Sequence, residues 1–144
     1  GDAIAVESVG KDVKTEFNRK VRFSATNFQT LSFFLTPLIK RGLLIFYAFF
    51  SHKISRWMLP FNLILVFIAN GLVYNLNELT QIIFYLQSLF YILAAVGYFF
   101  TKIKVRFFLF SLPYFFVMAN IAIIKGFNKF LKHQHSVVWE STKR

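Results

Sequence analysis

Within the run Ser51-His52-Lys53-Ile54-Ser55-Arg56-Trp57 an always-charged guanidinium stands beside an indole, just where a long apolar stretch begins. Two kinds of chemistry suit that pair. The arginine fork can pair with a phosphate while the indole stacks on a sugar ring, or both can anchor a helix at the edge of lipid. The same residue types return at the end of the chain, where Trp139 is followed by Glu140, Ser141, Thr142, Lys143 and Arg144. A hydroxyl and cations beside a tryptophan are donors fit for diphosphate oxygens. Read plainly, they form a solvated basic tail with an interfacial indole. Metal chemistry has little to work with. His133 and His135 lack a third ligand nearby in sequence, and His52 stands alone. There is no cysteine, which removes disulfides and thiolate sites. The acidic residues Asp2, Glu7, Asp12, Glu16, Glu78 and Glu140 include no D-x-D or E-D pair, so no catalytic residue is assigned within the chain.

The elements that must position these groups are written in the hydropathy. Of 144 residues, 56% are hydrophobic and 21 are phenylalanine, far more phenylalanine than a soluble core of this size requires. With mean hydropathy +0.53 and long apolar runs, the expected class is an all-α membrane protein. The formal charge of +11 flanks the apolar runs and does not line one soluble face. Anionic headgroups and membrane topology therefore explain it, and no nucleic-acid partner is expected.

Residues 1–14 open with the alternating Ala3-Ile4-Ala5-Val6 and then turn polar, as an edge strand leaving a soluble domain does. The chain begins in what reads as mid-domain, so it is expected to be a fragment. Residues 15–57 are expected to form two amphipathic interface helices. In the first, Phe17, Val21, Ala25, Phe28 and Leu31 share a face, Phe23 lies off it, and Pro37 is expected to end the helix. In the second, the apolar stretch 42–50 is too short to cross about 30 Å of hydrocarbon.

The membrane region proper is assigned to 58–131. One span is expected at about 58–74 and a second at about 82–100. Asn62 and Asn70, two turns apart in the first span, suit a polar path or a bond to a neighbouring helix. Basic residues precede the first span and follow the second, and none lies in the connection 75–81. That asymmetry puts the connection outside and the basic segments in the cytoplasm. The third apolar stretch, 107–124, has basic clusters at both ends and is interrupted by Pro113 and Asn120, whose polar requirements lipid does not meet. A helix lying in the interface or re-entering from the cytoplasmic side is expected there, with a plain third span as the alternative. Residues 132–144 form the tail.

Three motifs in order carry a resemblance. Glu16-Phe17-Asn18-Arg19-Lys20-Val21-Arg22 with Asn27-Phe28-Gln29-Thr30-Leu31 looks like a first interface helix. Ser51 to Trp57 looks like a second interface helix bearing a Q-x-x-R-W-type motif, with Lys53 in the Gln position. Trp139 to Arg144 looks like a W-x-x-T-x-R ending. Together they resemble the C-terminal membrane region of membrane-integrated family 2 glycosyltransferases, the group of cellulose, hyaluronan and poly-N-acetylglucosamine synthases, over nearly the whole chain.

The resemblance implies an inverting transfer of sugar from a nucleotide-diphosphate donor to a polysaccharide or glycolipid acceptor at the plasma (inner) membrane. It makes residues 1–14 the remnant of a cytoplasmic α/β GT-A catalytic domain. That upstream domain would hold the divalent metal, Mg²⁺ or Mn²⁺, and this chain none. It implies that Trp57 stacks on the acceptor and that Arg56 faces the leaving diphosphate. Trp139, Thr142, Lys143 and Arg144 would form a gating segment over the nucleotide diphosphate. The chain alone should be inactive. A non-enzymatic basic multi-pass membrane protein, binding anionic lipid or a partner complex, is the competing expectation.

The topology is checked by reporter fusions in the connection 75–81 and after Arg144. The connection is expected outside and the tail in the cytoplasm; an extracytoplasmic tail overturns the re-entrant reading of 107–124.

Overall fold

The computed structural model of the chain describes residues 13–103, 105 and 107–133. These are helical almost throughout, with no strand among the described residues. The expected α/β remnant at 1–14 falls mostly on residues outside the described set. The helices are α1 (Val13–Lys40), α2 (Leu43–Phe49), α3 (Ser55–Leu72), α4 (Glu78–Lys102) and α5 (Phe108–Leu131), with a π-helical turn, Phe50–Ile54, joining α2 to α3.

The stripe expected on the first helix is its packed face. Val21, Ala25 and Phe28 are buried, Ser24 joins them, and Phe23 points away with 54% of its surface exposed. Glu16 sits in the first turn, where the helix dipole favours a carboxylate. Pro37 does not end the helix, contrary to expectation. Proline removes one backbone donor, and this one lies in the last turn, where only Ile39 and Lys40 remain beyond Leu38. The helix stops at Gly42, whose φ of 122° is a conformation that side-chain-bearing residues rarely adopt.

The boundary expected between a second interface helix and the first span is also absent. α2, the π turn and α3 run on as one helix, Leu43–Leu72, of 30 residues. At 1.5 Å per residue that is roughly 45 Å, longer than a hydrocarbon core. The reason is local. One residue too many for α geometry is absorbed at Phe50–Ile54, where the Ser55 N–H and hydroxyl both donate to the Phe50 carbonyl, the hydroxyl at 3.0 Å. The extra residue turns the helix, so that Ile54 is buried while Leu43 and Leu44 remain more than four-fifths exposed.

α3 and α4 form a hairpin across 73–77. Phe67 stacks on Phe84 with centroids 5.6 Å apart, and Asn70 Nδ2–H donates to Gln87 Oε1 at 2.8 Å. That amide pair is the neighbouring-helix bond anticipated for Asn70. Asn77 caps α4, accepting the Thr80 N–H at 2.9 Å while Thr80 Oγ1 accepts the Asn77 N–H. Beside it the hydroxyls of Tyr74 and Tyr85 are hydrogen-bonded, which raises the Tyr74 phenol above its ordinary range.

α4 and α5 form a second hairpin, with Phe100 on Phe107 and Phe110 at 5.4 and 5.2 Å and Phe90 on Phe116 at 5.6 Å. Gly97 makes it possible, because a Cβ there would collide with the Phe110 carbonyl oxygen. The far end of α5 then reaches the beginning of α3, where Phe127 meets Phe61 at 5.4 Å. Phe61 lies in the first half of α3, near the middle of the continuous helix Leu43–Leu72. Asn120, in the middle of α5, donates to the Phe116 carbonyl at 2.8 Å and is 9% exposed, and Pro113 is likewise buried. Protein, not lipid, surrounds both interruptions.

Leu43–Leu72, Glu78–Lys102 and Phe108–Leu131 are each long and apolar enough to cross a membrane. Large apolar side chains cover their outer faces: Leu65 is 66% exposed, Leu86 62% and Leu109 66%. A surface of that extent fits lipid rather than water, and the described residues form an all-helical membrane protein.

α1 lies on the second half of α5, meeting it at Gly126. A Cβ on Gly126 would collide with Ser24 Cβ and come within 2.8 Å of the Val21 carbonyl oxygen and 2.9 Å of the Ala25 nitrogen. Backbone cannot retreat as a flexible side chain can. Gly126→Val should therefore cost about 1–3 kcal/mol through overpacking and separate α1 from α5. Unfolding in detergent titrated with dodecyl sulfate measures it. Gly71→Ala, whose new methyl would meet only Phe84 at 3.6 Å, is the matched control and should change little.

Candidate functional site

Of the residues singled out by their chemistry, Trp57, with Arg56 beside it, lies where α1, α3 and α5 converge. Trp57 is in the first turn of α3, immediately after the π turn. Its ring is 6.0 Å from Phe28 of α1 at 57°, and 6.4 Å from Phe49 of α2 at 81°. Phe28, only 4% exposed, holds the assembly together: its ring is 4.9 Å from Phe127 and 6.3 Å from Phe130, both on α5. Phe127 in turn meets Phe61. Lys53 Nζ lies 5.4 Å over the Phe49 ring, a cation–π contact at the outer edge of the group.

Why the chain builds this rim follows from spacing. Phe127 and Phe130 are three apart on α5 and so share a face. Phe28 ends the packed stripe of α1. The π turn sets the angular position of α3 relative to α2, which brings the Trp57 indole to the Phe28 side. Edge-to-face aromatic pairs of this kind each contribute about 0.5–1.5 kcal/mol beyond the area they bury.

Arg56 and Trp57 do not point the same way. Neighbours on a helix diverge by about 100°; Arg56 is exposed while Trp57 is partly buried against its aromatic neighbours. The indole thus has a packing role beside the sugar stacking and interfacial anchoring that sequence reasoning weighed for it. Of the other proposed site residues, Trp139, Thr142, Lys143 and Arg144 lie outside the described residues. The segment that carries them leaves from Leu131–His133, one turn beyond Phe130. Phe28, Phe127 and Phe130 were not singled out as site residues. The available signal was the Phe28 position on the α1 stripe and the i, i+3 pair of phenylalanines next to Lys125 and Lys129.

Among the described residues no group of three or more His, Asp and Glu side chains is placed to hold a metal ion. Comparison with protein-family models, with curated proteins and with solved structures gave no match.

The packing of the indole makes a specific stability prediction. Trp57→Ala should lower the unfolding free energy by about 1–3 kcal/mol, whereas Trp57→Phe, which keeps an aromatic edge against Phe28, should cost less than about 1 kcal/mol. Arg56→Gln, at an exposed position, should leave the midpoint within about 0.5 kcal/mol. Dodecyl sulfate titration followed by far-ultraviolet circular dichroism measures all three.

Proposed function

We propose that this chain is the C-terminal membrane module of an inverting family 2 glycosyltransferase, which transfers sugar from a nucleotide-diphosphate donor to a polysaccharide or glycolipid acceptor. One observation carries the reading. The second and third of the ordered motifs are far apart in sequence; Trp57 of the second is joined through the single ring of Phe28 to Phe130, nine residues before Trp139 of the third. Donor and acceptor groups of one transfer must meet within a few ångströms. An enzyme using both motifs would need the residues from Phe130 to Trp139 to bring the tail back toward Trp57.

The disposition of charge supports the same reading. Arg56 lies in the first turn of α3, Lys102 ends α4, and Lys125, Lys129 and Lys132 lie in the last turns of α5 and just beyond it. The connection 73–77 carries no cation, and Glu78 begins α4 just after it. With the basic side cytoplasmic, we read α5 as a helix that re-enters or lies in the interface on that side. The soluble catalytic domain, with its carboxylates and divalent metal, would dock on the same face through residues preceding α1.

In this arrangement Arg56 projects toward water from the membrane boundary and stabilises charge developing on the leaving diphosphate. Trp57 presents what its packing leaves open to the acceptor sugar. Trp139 anchors the tail, and Thr142, Lys143 and Arg144 donate to the diphosphate when the tail folds over the donor.

The test is made in the complete protein that contains this chain, reconstituted in liposomes with a panel of nucleotide-sugars. Arg56→Gln should reduce kcat by roughly 10²-fold at unchanged membrane insertion, because the side chain is exposed and the fold does not use it. Trp57→Ala should abolish transfer while the protein still inserts. Wild-type transfer by both variants would falsify the assignment.

A further inference from the structure

α5 carries Lys125 and Lys129, and its C-cap is Lys132, at spacing i, i+4 and i+7, hence on one face. Against that face runs the beginning of α1. Between them is a cleft of about 310 Å³, lined by the three lysines with Asn128, and by Asn18 and Phe17 from α1. The Lys125 ammonium sits 5.1 Å over the Phe17 ring.

The charge in this cleft has no internal counterweight among the described residues. Their carboxylates are Glu16 and Glu78. Glu16 is engaged by Arg19 at 2.8 Å and by Lys20 at 3.5 Å, and Glu78 begins α4. Cations in the last turns of a helix are favoured by its dipole, which accounts for lysines in this part of α5. It does not account for two carboxamides and an aromatic ring gathered around them. Three ammonium groups on one face repel, and an anion between them removes the repulsion. Phosphate suits the set: Lys contributes point charges, and Asn contributes N–H donors.

Depth selects the source of the phosphate. From Phe108 to Ile124 α5 contains no charged residue, and the lysines begin at Lys125. The cleft therefore sits where hydrocarbon gives way to headgroups. Phe17 and Val21 continue its wall with apolar surface.

We propose that this cleft binds the phosphate of an anionic lipid, whose chains run down beside α5. The assignment does not depend on the glycosyltransferase reading and stands or falls separately. The full chain is placed in nanodiscs of phosphatidylcholine with a minor fraction of phosphatidylglycerol, and retained lipid is measured by native mass spectrometry. Replacing Lys125, Lys129 and Lys132 together by Gln should cut phosphatidylglycerol retention roughly tenfold or more, and replacing them by Arg should preserve it. Lys40→Gln, Arg41→Gln and Lys53→Gln combined, an equal change of charge elsewhere, should keep retention within about twofold. Equal losses in the two Gln variants would mean diffuse attraction and overturn the site. Full displacement of the lipid by millimolar inorganic phosphate would make the occupant a soluble phosphate and overturn the lipid assignment.

Discussion

The contact of α1 with α5 is the constraint on which the rest of the molecule hangs. Gly126 lets the two backbones approach until Val21, Ser24 and Ala25 lie directly on it. In a membrane protein small residues matter in this way because lipid is as apolar as the side chains, so helices gain by close packing rather than by escape from water. With the backbones this close, Phe28 is pushed among Phe127, Phe130 and Trp57. The position of α3 relative to α5 then follows from one ring. α1 is thus more than a surface float: it joins the middle of the long α2–α3 helix, at Trp57, to the end of α5.

The second constraint is the path of α5. Its first residues are fastened to the end of α4 by Gly97 and the Phe100 cluster, and its last ones to the start of α3. The same path encloses Asn120 and Pro113 in protein, which is the only environment at that depth that tolerates them. The unsatisfied Oδ1 of Asn120 remains as a polar atom inside an apolar layer.

Function, on the proposal made here, divides between what is rigid and what must move. The aromatic rim is rigid because every ring has neighbours on other helices. Arg56 and the lysines of α5 project from it into the polar boundary, where charge is inexpensive to hold and near enough to phosphates to act. A Trp57 whose packing already orients the indole loses little side-chain entropy when it meets a ligand. Packing and recognition are in that sense one property of the residue.

Much of the architecture was legible in the residues. The apolar runs, the packed stripe of α1, the hairpin between the basic flanks and the Asn70 partner on the next helix all follow from hydropathy, spacing and the cost of a lone amide in lipid. Local rules failed at two points. Pro37 was expected to end a helix that continues to Lys40, because a proline in a last turn forfeits a single hydrogen bond. Residues 42–57 were read as a separate helix, although a π turn carries them straight into α3; a one-residue bulge shifts the phase of a stripe, which reads in sequence as one helix ending and another beginning. The rim around Phe28 was beyond sequence for a different reason. Its members come from four helices, and which phenylalanine of 21 meets which is set by helix crossing and by the two glycines that allow it. Periodicity assigns a side chain to a face; only the packed backbones determine what that face meets.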